Sequence, residues 1–144
     1  MFKANTKAVF ISKEMGSSSL GNIIFISPKH KEGMNVFSHE LGHQKFDALN
    51  LENDKELFKI YDEELSAYST IFPEAATKEI DYFILGSKKD RTKERAISEL
   101  GAESNLITNT YQSLKNIQGR STLAQQYFPR TIAYIQKRFA ELIT

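Results

Sequence analysis

The sequence predicts an α+β fold: a small N-terminal β-sheet edge followed by a mainly helical domain that carries an H-E-x-x-H helix. Three observations predict it. Short runs of β-branched and aromatic residues fall within the first 27 positions, apolar residues recur at helical spacing from about residue 35 onward, and Gly or Pro separates the helical stretches. A chain of 144 residues with 40% apolar side chains supports one domain, 1–144, with a real core.

The run K-A-V-F-I-S at 7–12 reads as a first strand, with the Gly/Ser cluster at 16–19 as the loop after it. Ile23, Ile24, Phe25, Ile26 and Ser27 form a second run that Pro28 ends, the pattern of a strand buried on both faces or lining a groove. A charged stretch at 29–33 turns the chain, and a helix is expected over 35–49, with Asn50 at its end. From Asp54, the residues Leu57, Ile60, Tyr61, Glu64, Tyr68 and Ile71 have helical spacing, and Pro73 is a stop or kink. A third helix over 75–85 ends at Gly86, before a polar connection at 87–90. The next begins near Thr92 with Ala96, Leu100, Ile107, Tyr111 and Leu114 on its apolar side, until Gly119 breaks the pattern. Pro129 opens the last helix, whose core face is Ile132, Ile135, Phe139 and Leu142, with Lys137 and Arg138 toward solvent.

Composition excludes several classes of function. The 19 basic and 18 acidic residues are interleaved, so the chain has no electrostatic footprint for nucleic acid or an anionic membrane. No stretch reaches a membrane-spanning length, and residues 1–7 lack the apolar core and cleavage site of a signal peptide, so a soluble chain is expected. With no cysteine there are no disulfides and no thiolate ligands, so a zinc site here must use His and carboxylate.

Such a site is offered by His39-Glu40-Leu41-Gly42-His43. One helical turn brings both imidazoles onto one face, where they can bind one zinc ion, and places Glu40 beside the metal as the base for a polarised water. With three His and thirteen Glu in the chain, shuffling produces the pattern roughly once in two hundred attempts, so chance is a poor account of it. Val36, His39, His43, Phe46 and Asn50 share one stripe, a partly apolar row in which unliganded imidazoles would be costly.

Catalytic zinc commonly has three protein ligands and one open position, so a third donor is required. His30 lies in the charged turn and reads as a solvated loop residue. Glu64 interrupts an apolar row, and a helix returning antiparallel after the motif would bring residues near 61–64 level with the metal. Glu99 and Glu103 share another helix face, beside Gly101 and Ala102, which are small enough for close approach to the motif helix. In that pair one carboxylate would bind zinc and the other would accept the remaining ring N–H of a histidine.

Four features together resemble the zinc peptidase domain of anthrax lethal factor and its relatives, including the Pro-Pro endopeptidases of clostridia. They are HELGH at 39–43 with Asp47 four residues beyond; Leu57-x-x-Ile60-Tyr61-x-x-Glu64; Glu99-x-x-Ala102-Glu103-Ser104; and Pro129-x-Thr131-x-x-Tyr134-Ile135. They span about two thirds of the chain. The resemblance implies a zincin-like gluzincin domain in which His39, His43 and Glu99 bind one Zn²⁺, Glu40 is the general base and Glu103 supports a ligand from behind. Where that family has an oxyanion-stabilising tyrosine, seven residues before the ligand glutamate, this chain has Thr92. Tyr68 and Tyr82 are the substitutes, and Tyr82, the nearer in sequence, is the candidate.

The expected function is therefore a zinc-dependent endopeptidase acting on a protein or peptide substrate. The resemblance extends this to a domain of a secreted or delivered toxin or effector. Substrate is expected to lie extended along the edge of the strand at 23–27. Rival readings are a gluzincin of another lineage with Glu64 as third ligand, or a non-catalytic zinc-binding interaction module. With Glu99 as the ligand, Glu64 is expected instead to accept hydrogen bonds near the start of the motif helix.

Overall fold

The described residues form six α-helices: α1 (Gly33–Ala48), α2 (Lys55–Tyr68), α3 (Thr77–Leu85), α4 (Lys93–Asn109), α5 (Arg120–Tyr127) and α6 (Pro129–Ala140). The computed structural model describes residues 8–11, 18–20, 23–26, 33–68, 77–86, 92–109 and 120–142. His30, Pro73, the connection at 87–90, Tyr111, Leu114, Gly119 and the side chain of Tyr68 lie outside the described residues.

The fold is all-α, which corrects the α+β expectation. Every element whose side chains are described is a helix, and the helices with their connections supply the whole described core, centred on Phe46, Leu57, Tyr61, Phe83, Leu100 and Ile135. At the N-terminus the backbone of β1 (Ala8–Ile11) pairs parallel with β3 (Ile23–Ile26), and β2 (Ser18–Leu20) pairs antiparallel with β3. Segments of three and four residues are too short to build a layer, and they add no described side chain to the core. The strand expected to offer a free edge to substrate is also the middle one, in the order β1-β3-β2. Both of its sides are occupied, so a substrate track along it is not supported. Among the described residues no helix is long and apolar enough to cross a membrane.

Local chemistry sets the helix ends. α1 stops where Asn50 takes a left-handed conformation (φ 53°), one that Asn adopts more readily than most residues, and α3 stops at Gly86 (φ 79°). Asp54 caps α2, its Oδ1 accepting the N–H groups of Glu56 (3.0 Å) and Leu57 (3.1 Å). Thr92 caps α4, its Oγ1 accepting the N–H of Arg95 at 3.1 Å.

The second oxygen of Asp54 accepts hydrogen bonds from Tyr134 (2.9 Å) and from Arg138. Arg138, expected in solvent, thus folds back as an anchor between the start of α2 and the last turn of α6. At the other end, Glu64 of α2 meets the start of α6: Oε1 accepts from the N–H of Arg130 (2.6 Å), and Oε2 from the N–H (2.9 Å) and hydroxyl (2.6 Å) of Thr131. Helix N-termini carry unsatisfied N–H groups and partial positive charge, and Phe128 at the N-cap of α6 supplies no side-chain acceptor. Glu64 supplies it from a neighbouring helix. These two contacts make α2 and α6 antiparallel.

α5 was not legible as a helix. Its buried stripe is Ser121, Ala124 and Tyr127, with a single large apolar member, so no helical period stands out in the sequence.

α1 and α4 pack closely against each other. A Cβ on Gly42 would stand 2.6 Å from the Cα of Ala102, and one on Gly101 would stand 2.7 Å from the Phe46 ring. Gly42→Ala must therefore push the helices apart, with an expected loss of roughly 1–3 kcal/mol despite the better helix propensity of Ala. Urea unfolding checks this, and a gain in stability would refute it. Glu64→Ala leaves buried N–H and hydroxyl groups without their acceptor, an expected loss on the order of 3 kcal/mol, also read by urea unfolding.

Candidate metal centre

Close approach of α1 and α4 brings one face of each into register. His39 and His43, one turn apart on α1, hold their rings 5.1 Å apart and nearly perpendicular at 83°. From α4, Oε2 of Glu99 lies 3.3 Å from Nε2 of His39 and 3.3 Å from Nε2 of His43. Among the described residues these three form a group whose ligand atoms all lie within 4.8 Å of one another, and which could hold a metal ion. Glu99 is 2% exposed and His43 6%.

Both rings are tied from behind. Nδ1 of His39 donates to Oε1 of Glu103 at 3.1 Å, and Nδ1 of His43 is hydrogen-bonded to Oγ of Ser98 at 2.9 Å. When each Nδ1 carries the proton and Nε2 is free, both Nε2 atoms face Oε2 of Glu99, three donor atoms of the kind a divalent cation takes. Ser121 of α5 in turn donates to Oε2 of Glu103, so both oxygens of that buried carboxylate are used.

The electrostatics follow from burial and these neighbours. Burial disfavours charge on His39, but the hydrogen bonds to Glu103 and Glu99 and their negative charges outweigh it and push its pKa up to about 10. Burial likewise opposes ionisation of Glu99, yet the two imidazoles hold its carboxyl well below the usual range. For Glu40, 5% exposed, burial dominates and raises the pKa, with Glu99 adding to the rise and the imidazoles opposing it. Glu40 thus lies within electrostatic reach of the whole group while holding protons more tightly than an ordinary carboxylate.

Tyr82 reaches the site from α3. Its hydroxyl donates to Oε2 of Glu99 at 2.6 Å, and burial, then Glu99, raise its pKa. The guanidinium of Arg120 stacks 3.8 Å above its ring. Thr92 is exposed at the cap of α4, and Asp47 is exposed on α1. Glu64 is not part of the group: both its oxygens serve the N-terminus of α6, which removes it as a third ligand and places its hydrogen bonds at the last helix, not the motif helix.

Four participants escaped sequence reasoning. Ser98 had a usable signal: Ser98, Glu99, Ala102 and Glu103 form one polar or small face of α4 (i, i+1, i+4, i+5), a face suited to holding ligands. Arg95, whose Nε lies 3.8 Å from Oε1 of Glu99, is one turn before it on the same helix. Arg120 and Ser121 lie on the helix that was not anticipated and had no local signal.

Comparison of the chain with models of protein families, with curated proteins and with solved structures finds no match to any of them.

The geometry ranks the carboxylates. Glu99→Ala is expected to weaken metal binding far more than Glu64→Ala, with Glu103→Ala between them at roughly ten- to a hundredfold. Competitive chelator titration orders the three variants, and a larger effect at Glu64 than at Glu99 would overturn the assignment.

Proposed function

We propose that this domain is a zinc-dependent endopeptidase of the gluzincin type, which hydrolyses peptide bonds of a protein substrate. The observation that carries the reading is the convergence of His39, His43 and Glu99, with buried Glu40 within electrostatic reach of them and the Tyr82 hydroxyl on the Glu99 carboxylate. His39, His43 and Glu99 would hold the ion. When bound there, zinc supplies Lewis acidity toward a peptide carbonyl and lowers the pKa of a water.

The chain's own residues supply the rest. Glu40 takes the proton of the attacking water as the new C–O bond forms, and returns it to the amide nitrogen as the C–N bond breaks, leaving a carboxylic acid and an amine. Its buried setting suits this double role, because a carboxyl with raised proton affinity can both accept and hold a proton. Tyr82 is the hydroxyl donor nearest to the metal ligands among the described contacts, and it is assigned to the oxygen that gains charge at the scissile carbonyl, a role in which its O–H turns from Glu99 to the bound substrate. Glu103 and Ser98 keep the imidazoles oriented.

Glu40→Gln separates hydrolysis from binding, since the amide retains size but cannot accept the proton. Zinc stoichiometry should remain one per chain, while cleavage of a diverse peptide library falls by at least about a hundredfold. Cleavage by Glu40→Gln at the wild-type rate would refute the mechanism. A zinc-loaded wild-type protein that cleaves nothing in the library would leave a binding module.

A further inference from the structure

α5 touches the metal centre at two places through adjacent residues. Ser121 is 4% exposed and opens the stripe Ser121, Ala124, Tyr127 that packs on the core. An alanine would fill that position without burying a hydroxyl, and a buried hydroxyl is costly unless it is bonded. Here it donates to Glu103, whose other oxygen holds Nδ1 of His39. The preceding residue, Arg120, turns the opposite way and lays its guanidinium 3.8 Å above the ring of Tyr82, whose hydroxyl donates to Glu99. Two chains of contact thus leave the first turn of α5 and end on two different members of the triad: Ser121 to Glu103 to His39, and Arg120 to Tyr82 to Glu99.

We infer that Arg120 and Ser121 are positioning residues that set the affinity of the metal centre, each acting on one ligand through the side chain that supports it. Groups hydrogen-bonded to metal ligands fix ring and carboxylate orientation, and their loss weakens metal binding. Glu103 is such a group for His39, and Tyr82 is such a group for Glu99. Neither can hold a ligand still unless it is itself held. The buried Glu103 carboxylate uses the Ser121 hydroxyl for this, and the phenol of Tyr82 uses the cationic face stacked on its ring.

The inference rests on the metal-centre reading and not on catalysis, so its test needs no substrate. Zinc affinity is measured by chelator competition in two mutant cycles, Ser121→Ala with Glu103→Ala, and Arg120→Gln with Tyr82→Phe, with urea unfolding of each variant as a control. Ser121→Ala and Arg120→Gln should each weaken zinc binding by roughly three- to tenfold, less than the supporting side chains themselves. Each effect should vanish when the supporting partner is already removed, because the residue then has nothing to position. Unchanged affinity in both single variants would overturn the inference, as would effects that add fully in both double variants. Loss of affinity only in proportion to lost stability would make α5 a packing element and likewise overturn it. A wild-type protein that takes up no zinc would instead refute the metal centre on which the inference stands.

Discussion

Everything at the centre depends on how closely α1 and α4 approach. Gly42 lies against the backbone of Ala102, and Gly101 opposite the ring of Phe46 leaves that side chain somewhere to go. A glycine inside a helix costs about 1 kcal/mol relative to alanine, and here two lie in the two helices that carry the candidate ligands. The return is geometric. Only at this separation can a glutamate from one helix bring a single oxygen within 3.3 Å of imidazole nitrogens one turn apart on the other. The small residues, the apolar anchor Phe46 and the ligand spacing are one constraint expressed three times.

Four carboxylates are buried among the described residues, and what surrounds each decides its work. Glu64 is fully occupied by the N–H groups and hydroxyl at the start of α6, so its charge stabilises a helix end. Glu103 divides its oxygens between His39 and Ser121, which suits an orienting role. Glu99 faces both imidazoles and Tyr82 with one oxygen, the arrangement of a ligand. Glu40 feels the imidazoles as charges, and burial governs its proton affinity. Residue type and burial are the same in all four cases; hydrogen-bond partners separate the roles.

That separation explains what was legible in the sequence. The motif helix, the helices that follow, and the small-residue face at Gly101 and Ala102 are local patterns, and periodicity finds them. The ends at Asn50 and Gly86 were readable because left-handed backbone favours those residue types. The fold class was not: two β-branched runs suggested a sheet layer, but their paired segments are only four residues long, while helices alone close the described core. α5 was missed because its buried face is mostly small or polar. The duty of Glu64 was misplaced because an unpaired charge in an apolar row shows that a partner exists without showing which helix end supplies it.

Tyr82 shows most clearly why position along the chain is a poor guide to a site. The place seven residues before Glu99 is Thr92, which caps α4 and points to solvent. The hydroxyl that reaches Glu99 comes instead from α3, seventeen residues upstream. Its placement is a tertiary property. α3 is fastened to α2 where Tyr61 donates to the carbonyl of Phe83 at 2.7 Å, and Phe83 packs edge-on against both Tyr82 and Phe128. Arg120 then closes over the Tyr82 ring from α5. Residues of α2, α3 and α5 together hold this hydroxyl against Glu99. The 2.6 Å between this phenol and the carboxylate oxygen is reached through packing between helices and not through a fixed offset along one of them.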